Sequence, residues 1–310
     1  MSKVRVAVIG CGFLGKWHVD KARSLENAEL VAIVDPISKQ AETLYPDIRL
    51  VSDLSEVISE IDAAIIATPT STHFNLCQQL LSSGKHVFVE KPMTSTLAEA
   101  EQLKTVMAGQ DLVLQVGHSE RFHLIWERLG EFEEFLRSPT LIRINRQAPF
   151  KGRATDVDVI QDLMIHDLDL LLYLFPEAPI LVESVGDRIR TDKWDCVTSI
   201  FSYKNGPKAI LTVGRNYVVE ERFLEVNSSA GTICFDLLRN KVFRSPNSGE
   251  EYVLEENYPK SDHLLREQEE FYAAILNKTP APVTFSDGHK AVRLIELVRK
   301  SLELGKPVEL

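Results

Sequence analysis

The sequence predicts an α/β protein in which a parallel, doubly wound sheet is followed by an α+β region built on a mainly antiparallel sheet. Three observations predict it. Strand-like runs alternate with helical stretches from Val4 to Gly117, a glycine-spaced turn joins the first strand to the first helix, and beyond about Ser119 most strands follow one another through short turns. Parallel neighbours need long crossovers whereas short turns reverse the chain, so the change of pattern separates a domain at 1–119 from a second at 120–310.

The elements follow in order. Lys3 to Ile9 is a β-branched strand, Gly10-Cys11-Gly12-Phe13-Leu14-Gly15 a tight turn, and a helix continues to about Leu25. Gly10 allows the turn, Gly12 lets backbone approach a pyrophosphate, and Gly15 lets the helix close on its strand, with free amides and the helix dipole facing the phosphates. The next strand ends on Asp35, 20 residues after Gly15, where a carboxylate that holds the adenosine ribose belongs. The N-terminal domain therefore reads as a Rossmann dinucleotide-binding unit. Asp35 repels a 2′-phosphate and Pro36-Ile37-Ser38 offers no arginine to accept one, so NAD is expected over NADP.

Further strands are expected at 63–68, 86–90 and 112–117, with helices at 72–83 and from the Thr96-to-Glu99 capping box to Gly109. The second domain is expected to hold a helix at 122–135, a strand at 141–148 and a helix through Asp162–Tyr173. Strands near 180–190, 196–203, 208–218, 222–228 and 231–236 follow, with turns such as Lys204-Asn205-Gly206-Pro207. Helices near 262–277 and 286–304 close the chain, the second a candidate to pack back on the first domain.

Composition bounds the chemistry. With 310 residues, 44% hydrophobic and 26% charged, the chain has the make-up of a globular protein with two substantial cores. A net charge of −10 argues against nucleic-acid or anionic-membrane partners, and no apolar run approaches the ~18 residues of a membrane span. The first strand begins after three residues without a charged-then-apolar leader, so a cytoplasmic protein is expected. Cys11, Cys77, Cys196 and Cys234 are scattered without metal-ligand spacing and read as reduced packing residues, with no metal role.

Ligands of doubly wound sheets sit beyond the carboxyl ends of the strands. Three such ends carry polar groups: Thr68-Pro69-Thr70-Ser71-Thr72-His73, Glu90-Lys91-Pro92, and Gln115 to Phe122 with His118 and Arg121. Thr68, Pro69, Thr70 and His73 suit the nicotinamide ribose, although Ser71 or Thr72 could equally be a plain helix cap. Lys91 is either a solvated lysine or a cation fixed beside the nicotinamide by the following proline. Asp162, His166 and Asp169 recur at offsets of four and seven, placing three ionisable groups on one stripe of a leucine-rich helix that continues to Tyr173. Such a stripe is either a buried ion-pair network or a catalytic line.

Taken together, Gly10-x-Gly12-x-x-Gly15, Glu90-Lys91-Pro92 and Asp162-x-x-x-His166-x-x-Asp169 resemble the Gfo/Idh/MocA family of nicotinamide-dependent sugar and polyol oxidoreductases. The resemblance implies that Lys91, Asp162 and His166 are catalytic, with His166 the acid/base and Lys91 polarising the substrate oxygen. It implies that Asp35 selects NAD and that an open, mainly antiparallel second sheet builds homodimers or homotetramers. The chemistry is consistent, because a secondary alcohol must lose its hydroxyl proton as hydride departs, and imidazole titrates near neutrality.

Between Arg143 and Thr155 lie four basic residues, Arg143, Arg146, Lys151 and Arg153, and no acidic one. The segment is either a solvated face or an anion patch leading into the helix of His166. Leu114 to Phe122, Ala148 to Val157 and Asp162 to Asp167 resemble the UDP-N-acetylglucosamine 3-dehydrogenases within the family. That resemblance implies oxidation of the sugar 3-hydroxyl to a ketone, which an aminotransferase then aminates in lipid A diamino-sugar synthesis. Arg121, Arg146, Lys151 or Arg153 would then meet the diphosphate, Phe150 the uracil, and His118 and Asp169 the sugar. An inositol or other sugar dehydrogenase of the same family, or a non-catalytic NAD-binding sensor, is the alternative; a sensor has no need of Lys91, Asp162 and His166 together.

Overall fold

The computed structural model describes residues 3–37, 39–204, 206–247 and 254–310. Ser38 and Asn205, which entered the expectations above, lie outside them. The chain forms two compact units, Met1–Ser119 with Asp262–Val292 and Glu120–Ser261 with Arg293–Leu310.

The first unit carries a six-stranded parallel sheet of β1 (Val4–Ile9), β2 (Ala28–Val34), β3 (Leu50–Val51), β4 (Ala63–Ile66), β5 (His86–Glu90) and β6 (Leu114–Gly117), in the order β3-β2-β1-β4-β5-β6. Helices α1 (Phe13–Ser24), α2 (Lys39–Leu44), α3 (His73–Ser82) and α4 (Leu97–Met107) link the strands. The central strands read as unbroken apolar runs because helices cover both faces of such a sheet; all four residues of β4 are buried. Thr96 and Glu99 form the expected capping box at the start of α4.

The second unit carries helix α5 (Glu133–Leu136), strand β7 (Pro139–Gln147), helix α6 (Ile165–Leu174), and strands β8 (Leu181–Asp187), β9 (Cys196–Ser202), β10 (Lys208–Gly214), β11 (Glu221–Ser228), β12 (Gly231–Asp236), β13 (Lys241–Pro246) and β14 (Leu254–Asn257). Helices α7 (His263–Asn277) and α8 (Phe285–Leu304) and the short β15 (Val308–Glu309) end the chain. Its nine-stranded sheet runs β14-β13-β12-β11-β7-β10-β9-β8-β15, antiparallel throughout except where β7 and β10 lie parallel. Burial alternates along its strands, as in β9 with Val197, Ser199 and Phe201 enclosed and their neighbours half-exposed, so one face is covered and the other open.

Three expectations need correction. The stretch expected as a helix at 122–135 is a run of tight 3-10 turns broken at Arg128, followed by the single turn of α5. The helix bearing Asp162 begins as a π turn over Ile160–Met164 and becomes α-helical from Ile165. A π turn closes i to i+5, so α-helical spacing does not strictly apply at Asp162; π turns inside helices recur at functional sites. Finally, 120–310 is not one body, because Asp262–Val292 groups with the first unit. There α7 buries Phe271 and Tyr272 in the cluster of Val6, Val8, Ile65 and Phe88. The Val116 amide also donates to the Val283 carbonyl. Each large side chain so buried contributes about 1.5–3 kcal/mol, which an amphipathic pattern alone cannot assign to one sheet or the other.

The glycine turn is sterically exacting at two positions. Gly10 has φ +89°, and a Cβ there would meet the Ala67 carbonyl oxygen at 2.7 Å. A Cβ on Gly15 would stand 2.1 Å from the Gly10 carbonyl oxygen, whereas one on Gly12 would meet nothing within 4 Å. Gly15→Ala should therefore lower the unfolding free energy in urea by about 1–3 kcal/mol, and Gly12→Ala should leave it within ~0.5 kcal/mol. Equal stability of the two variants would contradict this reading of the turn.

Candidate functional site

On the first unit a cleft of about 970 Å³ opens along the carboxyl ends of β1, β2 and β4. Gly10, Cys11, Gly12, Asp35, Thr68, Pro69 and Thr72 are among its lining residues. Gly12 caps α1 without a side-chain hydrogen bond, and the first turn holds no acid, so the helix amides are left for an anion. The Asp35 carboxylate accepts the Cys11 amide at 2.7 Å and the Ile37 amide at 2.9 Å, which fixes it beside the glycine turn. A pyrophosphate over Gly12, where a Cβ would find open space, and a ribose at Asp35 fit these residues. Phe13 and Leu14 start α1 with their side chains exposed, so their contribution to the turn is backbone.

The polar loop after β4 is a 3-10 turn, Thr70–Thr72, rather than a Ser71- or Thr72-capped helix start. The Thr72 hydroxyl donates to the Pro69 carbonyl and lies 2.6 Å from that of Thr68. His73 is enclosed, with Nδ1 2.8 Å from the Pro92 carbonyl oxygen and Nε2 3.0 Å from that of Thr68. Burial lowers its pKa. It fastens the Thr68 loop to the Lys91-Pro92 segment and is not presented to a ligand, a correction to its expected cofactor contact.

Glu90 is likewise a support. It is buried, accepts the Lys91 amide at 3.1 Å and lies 2.8 Å from His18 Nε2, while Gln268 and Tyr272 of α7 continue the chain of hydrogen bonds from His18 Nδ1. Burial is the largest influence on Glu90 and opposes its ionisation, but His18 and the Lys91 ammonium and amide together outweigh it and hold the carboxyl below its usual range. Lys91, half-buried, thus leaves β5 on a backbone anchored from both sides. His118, expected to touch sugar, is wholly enclosed.

On the second unit the ionisable stripe divides. Asp162 and His166 are half-buried, whereas Asp169 is enclosed and pairs bidentately with Arg121 at 2.6 and 2.7 Å, with Tyr173 5.0 Å from that guanidinium. Asp169 and Arg121 therefore hold each other within this unit. Asp167, beside His166 and fully buried, accepts Arg146 Nε at 2.9 Å. Arg146 also donates to Glu120, which meets Arg222 at 2.7 Å and His123 at 3.0 Å. Burial opposes the Glu120 charge, yet Arg146 and Arg222 hold its carboxyl well below the usual range. Arg146 is consequently held by two buried acids.

Asp162 and Leu163 line a small cavity of about 70 Å³ together with five basic residues, Arg146, Lys151, Arg153, Arg215 and Arg222, and two further acids, Glu220 and Glu221. Lys151 pairs with Glu220 at 2.7 Å, Arg153 is exposed, and the Phe150 ring lies 5.8 Å from the Arg190 guanidinium. Arg215 ties the segment down by donating to the Val157 carbonyl at 2.9 Å and to buried Asp195 at 2.6 Å. His18, Arg215 and Arg222 escaped the sequence reading, and Glu120 stood in it only as part of the polar run from Gln115 to Phe122. An isolated arginine in a strand gives no signal of its own, although His18 follows the glycine turn at helical spacing from Gly15.

The comparisons with known proteins agree with this geometry. Residues 4–118 match the family model described as oxidoreductase family, NAD-binding Rossmann fold, and residues 150–310 match that family's C-terminal alpha/beta domain. UDP-N-acetylglucosamine 3-dehydrogenase of Acidithiobacillus ferrooxidans is 32% identical over 307 residues, covering 95% of each chain. A solved structure of that enzyme superposes with a TM-score of 0.90 over 98% of this chain and 99% of its own. Myo-inositol 2-dehydrogenase of Thermotoga maritima is 26% identical over 335 residues, covering 99% of this chain and 98% of the relative. The chain belongs to the Gfo/Idh/MocA family of oxidoreductases, and its N-terminal unit is that family's NAD-binding Rossmann domain.

Proposed function

We propose that the protein oxidises a secondary hydroxyl of a nucleotide sugar, with UDP-N-acetylglucosamine and its 3-hydroxyl as the leading substrate. The observation that carries this reading is the cavity on the second unit, where Asp162 of the His166-bearing segment shares a wall with five basic residues in a chain of net charge −10. A substrate bearing a diphosphate would answer that local charge. The relative from A. ferrooxidans supports the same substrate class.

In this proposal His166 removes the hydroxyl proton, the step imidazole performs best near neutral pH. Asp162 holds the ring or an adjacent sugar hydroxyl. The Lys91 ammonium favours negative charge on the reacting oxygen. NAD, when bound, accepts the hydride. Glu90, His18 and His73 keep Lys91 in place, while the Arg146–Asp167 pair keeps the segment of His166 in its rotational setting. The keto product is suited to an aminotransferase, as in lipid A diamino-sugar synthesis. Assembly as a homodimer or homotetramer belongs to the same proposal, through the open sheet face that carries half-buried Ile200, Ile210, Phe223 and Phe243.

A cyclic polyol is the second reading, favoured by the inositol dehydrogenase relatives. A neutral polyol makes no use of exposed Arg153 or of the part-exposed Arg222 on the cavity wall, which is why the nucleotide sugar is preferred.

His166→Ala should cut turnover by ~10²–10⁴-fold and Lys91→Met should do the same, both with NADH binding near normal by fluorescence titration. Retained turnover in both variants would refute their roles. Arg153→Glu should raise the Michaelis constant for the UDP-sugar by about tenfold or more while leaving that for NAD unchanged; equal effects on both would remove Arg153 from the substrate site.

A further inference from the structure

Resting on the nucleotide-sugar reading, we infer that Arg222 is a phosphate-recognising residue of that site, held ready by its opposition to Arg146. The antiparallel register of β7 and β11 sets Arg222 directly across from Arg146. Like charges in directly opposed positions destabilise a sheet. Glu120 bridges the two guanidiniums, and local rules are broken in this way chiefly where function demands it.

The acids present satisfy the two arginines unequally. Arg146 binds both Asp167 and Glu120, and Arg222 shares the Glu120 oxygen that Arg146 already uses, at 2.7 against 2.9 Å. The Arg222 Nε is enclosed and has no hydrogen-bond partner among the described residues. The charge of Arg146, with burial second, lowers the pKa of Arg222. The side chain is nevertheless 32% exposed and lines the cavity shared by Asp162 and Arg153. Lys151, on the same wall, already faces Glu220. A phosphate oxygen meeting the exposed part of this guanidinium relieves the repulsion between the two arginines and leaves the Glu120 contact in place. Arg222 therefore binds the diphosphate, and Arg146, locked to Asp167, holds the helix.

The test is calorimetric titration of the NADH-loaded protein with UDP, uridine and glucuronate. Wild type should bind UDP about 10–100-fold more tightly than uridine. Arg222→Gln retains an amide donor for Glu120 but no charge, and should lose most of that advantage while binding uridine as before. Arg222→Lys retains charge without the fork and should fall between; it carries the test alone if the Gln variant does not melt cooperatively. If wild type binds UDP and both variants bind it equally well, Arg222 is not a phosphate ligand although the nucleotide-sugar reading stands. If wild type gains more from the glucuronate carboxylate than from UDP, or binds UDP no better than uridine, both the inference and the reading fall.

Discussion

A buried carboxylate cannot remain charged without partners, and Glu120 is the point at which that rule organises the second unit. Its two oxygens gather Arg146, Arg222 and His123, joining the turns after β6 to β7 and β11. Through Arg146 the network reaches Asp167 on α6. The apolar side of that helix is rich in leucine, and leucines pack in many rotational settings with similar energy. The pairs Arg146–Asp167 and Arg121–Asp169 have one geometry each, so they set the rotation. Half-burial of His166 and Asp162 is the consequence.

The first unit applies the same constraint to Lys91. Glu90 is enclosed beside it and is hydrogen-bonded to a chain running through His18 to Gln268 and Tyr272. Two of those partners come from α7, which the sequence places far beyond the Rossmann strands. The return of α7 therefore completes the support of Lys91 as well as covering the sheet. Removing a partner from such a network strands a buried charge, commonly at a cost of about 3–5 kcal/mol, so the support is as sensitive to substitution as the residues it holds.

The glycine turn, Asp35 and the alternation of strands and helices were legible in the sequence because each is a local rule: a left-handed φ at Gly10, a close approach at Gly15, an acid at the end of β2. The polar stripe was legible as a pattern and ambiguous in meaning. Tertiary pairing splits it, Asp169 falling to a buried ion pair while His166 stays half-buried. The basic segment divides for a readable reason. Arg143 and Arg146 are three apart, and a strand sends residues of odd spacing to opposite faces; Arg143 lies outward with Glu225 and Arg146 inward with Asp167. Arg222 was illegible, since its significance lies in register with a strand distant in sequence. The short polar strands β13 and β14 lack the apolar alternation that reveals β12.

The account joins an NAD-binding unit to a basic, Asp162-lined cavity and assigns the pair to nucleotide-sugar oxidation. Its most direct test is NADH formation when the purified protein and NAD are mixed with UDP-N-acetylglucosamine, myo-inositol, glucose or no sugar. The account predicts NADH with the UDP-sugar well above the other three; equal or greater turnover of myo-inositol or glucose, or silence with every sugar despite NAD binding, would contradict it.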